Sequence, residues 1–298
     1  MSEDKKFLEV KNLKVEYTSE GKIVHAVNGV TFHLDRGRTV GLVGETGAGK
    51  TSIAKAILRI LPNPGGKISD GEVYLEGEDI LKRSERGMRK LRGRKISMIF
   101  QDPMTSLNPV KKVVDQIAEV IKTHNKKMSM AEATAEAIKM LGKVGIAENR
   151  AREYPHQFSG GMKQRVVIAI ALASNARIMI CDEPTTALDV TTQADIMELI
   201  RELQEKMGTS VILVTHDLGI AAEVGDRIQV MYAGEIIETG TKSEIFKKAV
   251  HPYTWALMKS VPSAQSQTEE KLYSLKGTPP DLIAPPKACA FAPRCEYC

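Results

Sequence analysis

Four short stretches of this 298-residue chain carry side chains suited to chemistry. The first, Gly44-Glu45-Thr46-Gly47-Ala48-Gly49-Lys50-Thr51, has the spacing G-x-x-x-x-G-K-[ST]. Glycines there let backbone N–H groups close around phosphate oxygens, and the positive end of a following helix strengthens the cradle. Lys50 would then reach β- and γ-phosphates, and the Thr51 hydroxyl would ligate Mg²⁺. The second, Ile178-Met179-Ile180-Cys181-Asp182-Glu183, delivers two carboxylates at the end of an apolar run. Asp182 suits the outer shell of Mg²⁺, and Glu183 can polarise a water that attacks a γ-phosphate. Such a pair is also a common helix N-terminal cap, so its meaning depends on the phosphate loop beside it. The third is His216 in Val-Thr-His-Asp: a satisfied structural imidazole is the plain reading, and a γ-phosphate contact is the one its position favours. The fourth, Phe158-Ser159-Gly160-Gly161-Met162-Lys163-Gln164-Arg165, is a second small-residue loop feeding a helix, hence either a simple cap at Ser159 or a second anion site. One nucleotide does not need two cradles. The second makes sense if it reaches the nucleotide of another subunit.

The elements that must position these groups are legible as apolar runs. Thr39–Val43, Ile96–Phe100, Ile178–Cys181 and Val211–Thr215 are nearly all apolar, as strands buried on both faces should be. They run into the glycine-rich loop, into Gln101, into Asp182 with Glu183, and into His216. Ligands of open α/β sheets gather beyond the carboxyl ends of the strands, so the four endings define one site by pattern. The stretch from Phe7 to Asp35 alternates like an antiparallel sheet, whereas Val113–His124 and Ala131–Val144 are amphipathic helices separated by a polar turn. After Gly240 a short helix over Ser243–Ala249 leads to HPYTWALMKSVP. Pro279, Pro280, Pro285, Pro286 and Pro293 then make the tail extended. The expected fold class is α/β, a P-loop NTPase of RecA-like type. Its mostly parallel core carries an N-terminal antiparallel β subdomain, an inserted helical subdomain and a C-terminal extension. The expected boundaries are 1–102 for the β subdomain and first part of the core, 103–164 for the helical insertion, 165–245 for the rest of the core, and 246–298 for the extension.

Composition narrows the class. A net charge of +5, from 42 basic and 37 acidic residues, is too mild to argue for nucleic acid as a partner. The N-terminus has no apolar stretch of signal-peptide length, and the densest apolar run, Val166 to Ala173, is far short of the roughly 20 residues that span a bilayer. The expectation is a cytoplasmic protein that is not itself a channel. One local run, Lys82, Arg83, Arg86, Arg89, Lys90, Arg92, Arg94 and Lys95 against the single carboxylate Glu85, is distinctly basic. It reads as a solvated face or as a contact with membrane-proximal or acidic surfaces. Cys181 sits in a strand-like run and Cys289, Cys295 and Cys298 crowd the end of the chain, which does not suggest structural disulfides in a cytoplasmic setting.

Taken in order, GETGAGKT, Gln101, FSGGMKQR, CDEP, Ala187-Leu188-Asp189 and His216 resemble an ABC transporter ATPase over essentially the whole chain. Within that superfamily QDPMTSLNP, YPHQFSGG, MYAGEIIETG and HPYTWALMKSVP with a Cys-bearing tail resemble the oligopeptide and dipeptide import ATPases. The resemblance implies ATP and Mg²⁺ as cofactors. It implies that Tyr17 stacks on adenine and that Gln101 touches Mg²⁺ and senses a membrane subunit. It also implies that Ser159, Gly160 and Gly161 bind the nucleotide of an opposing chain, with Asp189 at the dimer seam. With these residues go Gly44 through Thr51, Ser52 and Asp182 for the nucleotide, and Glu183 with His216 for catalysis. The implied partners are a second cassette, identical or related, two transmembrane permease subunits and, indirectly, an extracytoplasmic solute-binding protein; the implied place is the inner face of the cell membrane. Phe158 where many ABC proteins have Leu, and Thr51 where this subfamily usually has Ser, are departures that leave the chemistry intact. Oligosaccharide or nickel import is the alternative cargo. A soluble ABC ATPase of DNA repair would place a long heptad coiled coil between Gln101 and Ser159, and a translation-linked one would carry two cassettes. Members of the subfamily carry a four-cysteine tail that holds a [4Fe–4S] cluster. Cys289 and Cys295 match it, Cys298 comes too early for the third cysteine and no fourth follows, leaving both a ligand cluster in a longer protein and ordinary free thiols open.

Overall fold

The alternating stretch near the N-terminus folds as two long antiparallel strands, Leu8–Ser19 and Lys22–Leu34, paired from Leu8 with Leu34 to Ser19 with Lys22. Leu8, Val10, Leu13 and Val15 are buried, while Lys11, Asn12 and Lys14 face water, the period-2 pattern of a sheet with one covered face, interrupted by a register shift between Val10 and Leu13. In this computed structural model residues 6–186, 188–260 and 275–298 are described. The chain divides into two units, Met1–Arg83 with Ile212–Cys298, and Ser84–Val211.

The first unit contains the antiparallel sheet, in the order Lys22–Leu34, Leu8–Ser19, Gly66–Leu75, Glu78–Asp79. It also contains a second set of strands. Thr39–Val43, every residue buried, pairs in parallel with Arg227–Tyr232, which pairs antiparallel with Glu235–Thr241. Ser210–Thr215, whose residues from Ile212 onward belong to this unit, lies on the other side of Thr39–Val43. Helices Lys50–Leu58 and Leu218–Val224 follow the strands; the second is capped by the Asp217 carboxylate, which accepts from Gly219 and Ile220 N–H. Helices Lys242–Lys248 and Pro252–Ser260 precede the tail. Among its described residues the tail is irregular, with a few turns and one short 3-10 helix at Ala292–Arg294, as its prolines predict. Val43, Leu218, Ile228, Val230, Tyr232, Tyr253, Leu257 and Phe291 form one buried cluster, so the tail contributes to the core of this unit.

The second unit sets the parallel pair Ile96–Ile99 and Ile178–Asp182 among helices. The strand expected to reach Phe100 stops at Ile99, and Phe100 is exposed. Helix Val113–His124 has the expected bounds. Helix Met130–Lys143 begins one residue early because Ser129 and Glu132 form a reciprocal capping box. Helices Glu85–Leu91, Pro103–Ser106, Gly160–Leu172 and Val190–Met207 complete the unit. Three of the eight basic residues of the run are paired locally, Lys82 with Asp79 at 3.0 Å, Arg83 with Glu78 and Arg92 with Glu85 at 2.5 Å, as on a solvated face. Among the described residues no helix is long and apolar enough to cross a membrane.

Candidate nucleotide-binding site

In the first unit the loop from Gly44 to Gly49 leaves a fully buried strand and enters helix Lys50–Leu58, the arrangement that aims backbone N–H groups at an anion. Gly47 and Gly49 adopt φ of +85° and +98°, conformations that L side chains rarely take. At Gly49 a Cβ would also stand 2.3 Å from the Ala26 carbonyl oxygen. The loop is closed by Ala48 N–H donating to Glu45 O at 3.1 Å, and tied outward by Gly234 N–H donating to Ala48 O at 3.1 Å. Lys50 is only 4% exposed; its ammonium arches back to donate to the carbonyls of Gly44, at 2.6 Å, and Glu45, at 2.9 Å. Thr51 and Ser52 follow in the first helical turn, and Ser52 Oγ accepts from Tyr17 Oη at 3.0 Å, which places Tyr17 beside the loop. His216 is exposed directly after a fully buried strand, so it is not a core histidine.

In the second unit Asp182 ends its strand with 2% exposure, and Glu183 follows with φ of +46°, a left-handed conformation unusual for glutamate. Backbone held this way at a strand end stores about 1–3 kcal/mol and is typical of residues aimed at a ligand. Glu183 Oε2 accepts two hydrogen bonds, from Gln101 Nε2 at 3.0 Å and from Thr186 Oγ1 at 2.9 Å. Gln101 and Glu183, separated by most of the helical segment, are therefore direct partners. Ser159 does cap helix Gly160–Leu172, its Oγ accepting from Met162 N–H at 3.4 Å. Ser159 and Gly160 are nevertheless exposed, as a contact to another molecule requires. A Cβ on Gly161 would sit 2.4 Å from Thr192 Cγ2, and Asp189 caps the helix that carries Thr192, accepting from its N–H at 3.0 Å and its hydroxyl at 2.7 Å. Those bonds hold the Asp189 carboxyl below the usual range. Ser159, Gly160, Gly161 and Asp189 are thus neighbours in one unit; Ala187 lies outside the described residues.

Three residues near the phosphate loop escaped the sequence reading. Tyr253 Oη accepts from Glu45 N–H at 2.8 Å, and Arg294 pairs with the Glu45 carboxylate while donating to Tyr232 Oη at 3.2 Å. The signals were HPYTWAL and the proline-rich tail, which are recognisable as motifs but say nothing about what they touch.

Among the described residues the tail thiols are not grouped as a metal site. Cys298 hydrogen-bonds Cys295 with Cys289 nearby, and these neighbours raise the Cys298 thiol above its ordinary value. A [4Fe–4S] cluster takes four ligands, yet among the described residues no three His, Cys, Asp or Glu side chains are grouped to hold a metal ion. Cys181 is buried inside its strand.

Comparison with known proteins places this geometry. Residues 27–186 match the ABC transporter family model, and residues 237–298 match that of the oligopeptide/dipeptide transporter C-terminal region. The oligopeptide transport ATP-binding protein OppD of Bacillus subtilis is 52% identical over 98% of this chain and 82% of its own length. The dipeptide transport ATP-binding protein DppD of the same organism is 50% identical over 97% of this chain and 87% of its own length. The ATP-binding cassette MJ0796, solved as a dimer in a post-hydrolysis state with ADP and Pi, superimposes with a TM-score of 0.70 and 30% identity, covering 79% of this chain and 98% of that one. Motif, fold and kinship agree: the chain belongs to the ABC transporter ATP-binding proteins, in the oligopeptide and dipeptide transport branch.

Proposed function

We propose that the protein is the ATP-hydrolysing subunit of an importer of oligopeptides or dipeptides. The observation that carries this reading is the phosphate loop itself, a left-handed glycine turn between a buried strand and a helix, with Lys50 folded over it. Lys50 and the loop N–H groups hold the β- and γ-phosphates, and Tyr17 receives the adenine. Glu183 accepts a proton from water as the water oxygen bonds to the γ-phosphorus and the bond to ADP breaks; the fixed Gln101 and Thr186 bonds orient its carboxylate. His216 contacts the γ-phosphate. The Thr51 hydroxyl and Gln101 amide oxygen are the hard oxygen donors that Mg²⁺ prefers, with Asp182 in its outer shell. Mg²⁺, when bound, neutralises charge on the phosphates. The Gln101 amide nitrogen is already committed to Glu183, which leaves its oxygen as the end suited to a cation.

Ser159, Gly160, Gly161 and Asp189 serve the nucleotide of a second cassette, identical or related, and the pair acts on two membrane permease subunits at the inner face of the cell membrane. A solute-binding protein brings the cargo from outside. Peptide cargo rests on the matched C-terminal region and on the oligopeptide and dipeptide transport of the similar proteins. Glu183→Gln keeps the shape and removes the base. ATP hydrolysis should fall by about 10²–10⁴-fold while Mg-ATP binding persists. Unchanged turnover would sink the assigned role.

A further inference from the structure

The C-terminal segment grips the phosphate loop at a residue that should not help it. Glu45 puts a carboxylate on the loop proposed to cradle a polyanion, where like charge opposes binding. Arg294 answers it with a two-pronged bond, Nη1 to Oε2 at 2.6 Å and Nη2 to Oε1 at 3.0 Å. Its Nε donates to the Lys276 carbonyl at 2.9 Å and Nη1 also to Tyr232 Oη, and the side chain is 5% exposed. A planar fork bound on every side is rigid in a way that a lysine ammonium is not. The same loop residue is held from its backbone, since Glu45 N–H donates to Tyr253 Oη. Tyr253 lies against Tyr232 and Phe291 with ring centroids 4.6 and 5.4 Å away, and Phe291 stands three residues before Arg294 in the tail. His25 N–H donates to Leu282 O at 2.9 Å, a further attachment of the tail, here to strand Lys22–Leu34, whose Ala26 carbonyl faces Gly49.

We propose that Arg294 is a positioning residue for nucleotide binding: it neutralises and orients Glu45 so that the phosphate loop accepts a triphosphate, which makes the folded C-terminal segment a condition of tight ATP binding. The inference rests on the ATP-binding reading above and adds to it a charge that offsets the Glu45 carboxylate.

The test uses the full chain, with Mg-ATP titrated into the wild type, Arg294→Ala, Arg294→Lys, the double variant Arg294→Ala with Glu45→Gln, and Lys50→Ala, each with its melting temperature. Arg294→Ala should weaken ATP binding on the order of tenfold, about 1.4 kcal/mol. Arg294→Lys, which keeps the charge and loses the fork, should fall between that variant and wild type, and it carries the comparison if Arg294→Ala does not fold. The decisive arm is the double variant. A merely structural role for Arg294 predicts a double variant as weak as the single one or weaker, whereas neutralisation predicts recovery of most of the lost affinity, because the stranded carboxylate is gone. Wild-type affinity in a folded Arg294→Ala chain, with Lys50→Ala impaired, overturns this proposal and leaves the ATP reading standing. A double variant no better than Arg294→Ala overturns it as well. A wild-type chain that binds no ATP takes down both.

Discussion

Substituting Gly49 by Ala is the sharpest test of how the phosphate loop is built. At φ +98° and ψ 0° an alanine pays the left-handed cost of about 1–2 kcal/mol. Its Cβ would also lie 2.3 Å from the Ala26 carbonyl oxygen, which belongs to a strand and cannot swing aside as a side chain can. Displacing packed backbone adds about 1–3 kcal/mol, so the sum is about 2–5 kcal/mol out of a native stability of about 5–15 kcal/mol. Gly47 supplies the internal control. Its φ of +85° is equally left-handed, but a Cβ there meets nothing within 4 Å. Gly47→Ala should therefore cost the conformational part alone, about 1–2 kcal/mol. At about 2–4 °C per kcal/mol for a chain of this class, Gly49→Ala should melt about 4–20 °C below wild type and clearly below Gly47→Ala. Thermal and urea unfolding of the three proteins side by side decide it. If Gly47→Ala melts as low as Gly49→Ala, the close approach of the Ala26 carbonyl does not control the loop and the reasoning fails.

Two further outcomes follow from the site and its surroundings. Ser159→Arg should abolish hydrolysis while its isolated chain still binds ATP, and mixing it with Lys50→Ala chains should restore part of the turnover through one intact composite site; normal hydrolysis by Ser159→Arg alone would reduce the second loop to a helix cap. His251 is pushed below its ordinary pKa by burial, against the opposing pull of Glu238, and its Nδ1 accepts from Tyr253 N–H at 3.1 Å, so the fold favours the neutral ring. That stability is present above the unfolded value of about 6.5 and is lost as pH falls below it, through the lower value that the ring has in the fold. The melting temperature should drop between pH 7.5 and 5.5, and drop less in His251→Asn; equal drops would show that the ring does not titrate across the transition.

Sequence reading succeeded where the physics is local. Fully apolar runs ending in a polar residue located the strands at Thr39, Ile96, Ile178 and Val211 to within a residue or so, because burial on both faces forces such runs. Strand Gly66–Leu75 escaped because its first half, GKISD, is half exposed and polar. Helix Val190–Met207 escaped because it opens on Val-Thr-Thr, poor helix formers whose start is secured by the Asp189 cap. The strands Arg227–Tyr232 and Glu235–Thr241 were visible only as a motif, although Ala233 and Gly234, both at positive φ, form the two-residue turn of a hairpin. At the candidate site, the strand–turn–helix setting of Lys50 and the strand-end position of Glu183 were legible from spacing. The Gln101–Glu183 bond and the Arg294–Glu45 pair were not, since the partners stand 82 and 249 residues apart and no local pattern encodes such pairings.

The distribution of thiols gives the protein a built-in reporter. Cys181 is sealed inside its strand and its ionisation is strongly suppressed by burial, so an alkylating dye reaching the native chain finds no reactive sulfur there. Cys289 and Cys298 are exposed and flank Arg294, with Cys295 beside it. A maleimide fluorophore added to the unmutated protein would label the tail alone, next to the residue that holds Glu45. Its emission would then report on the surroundings of Arg294 when nucleotide is added, without any engineered cysteine.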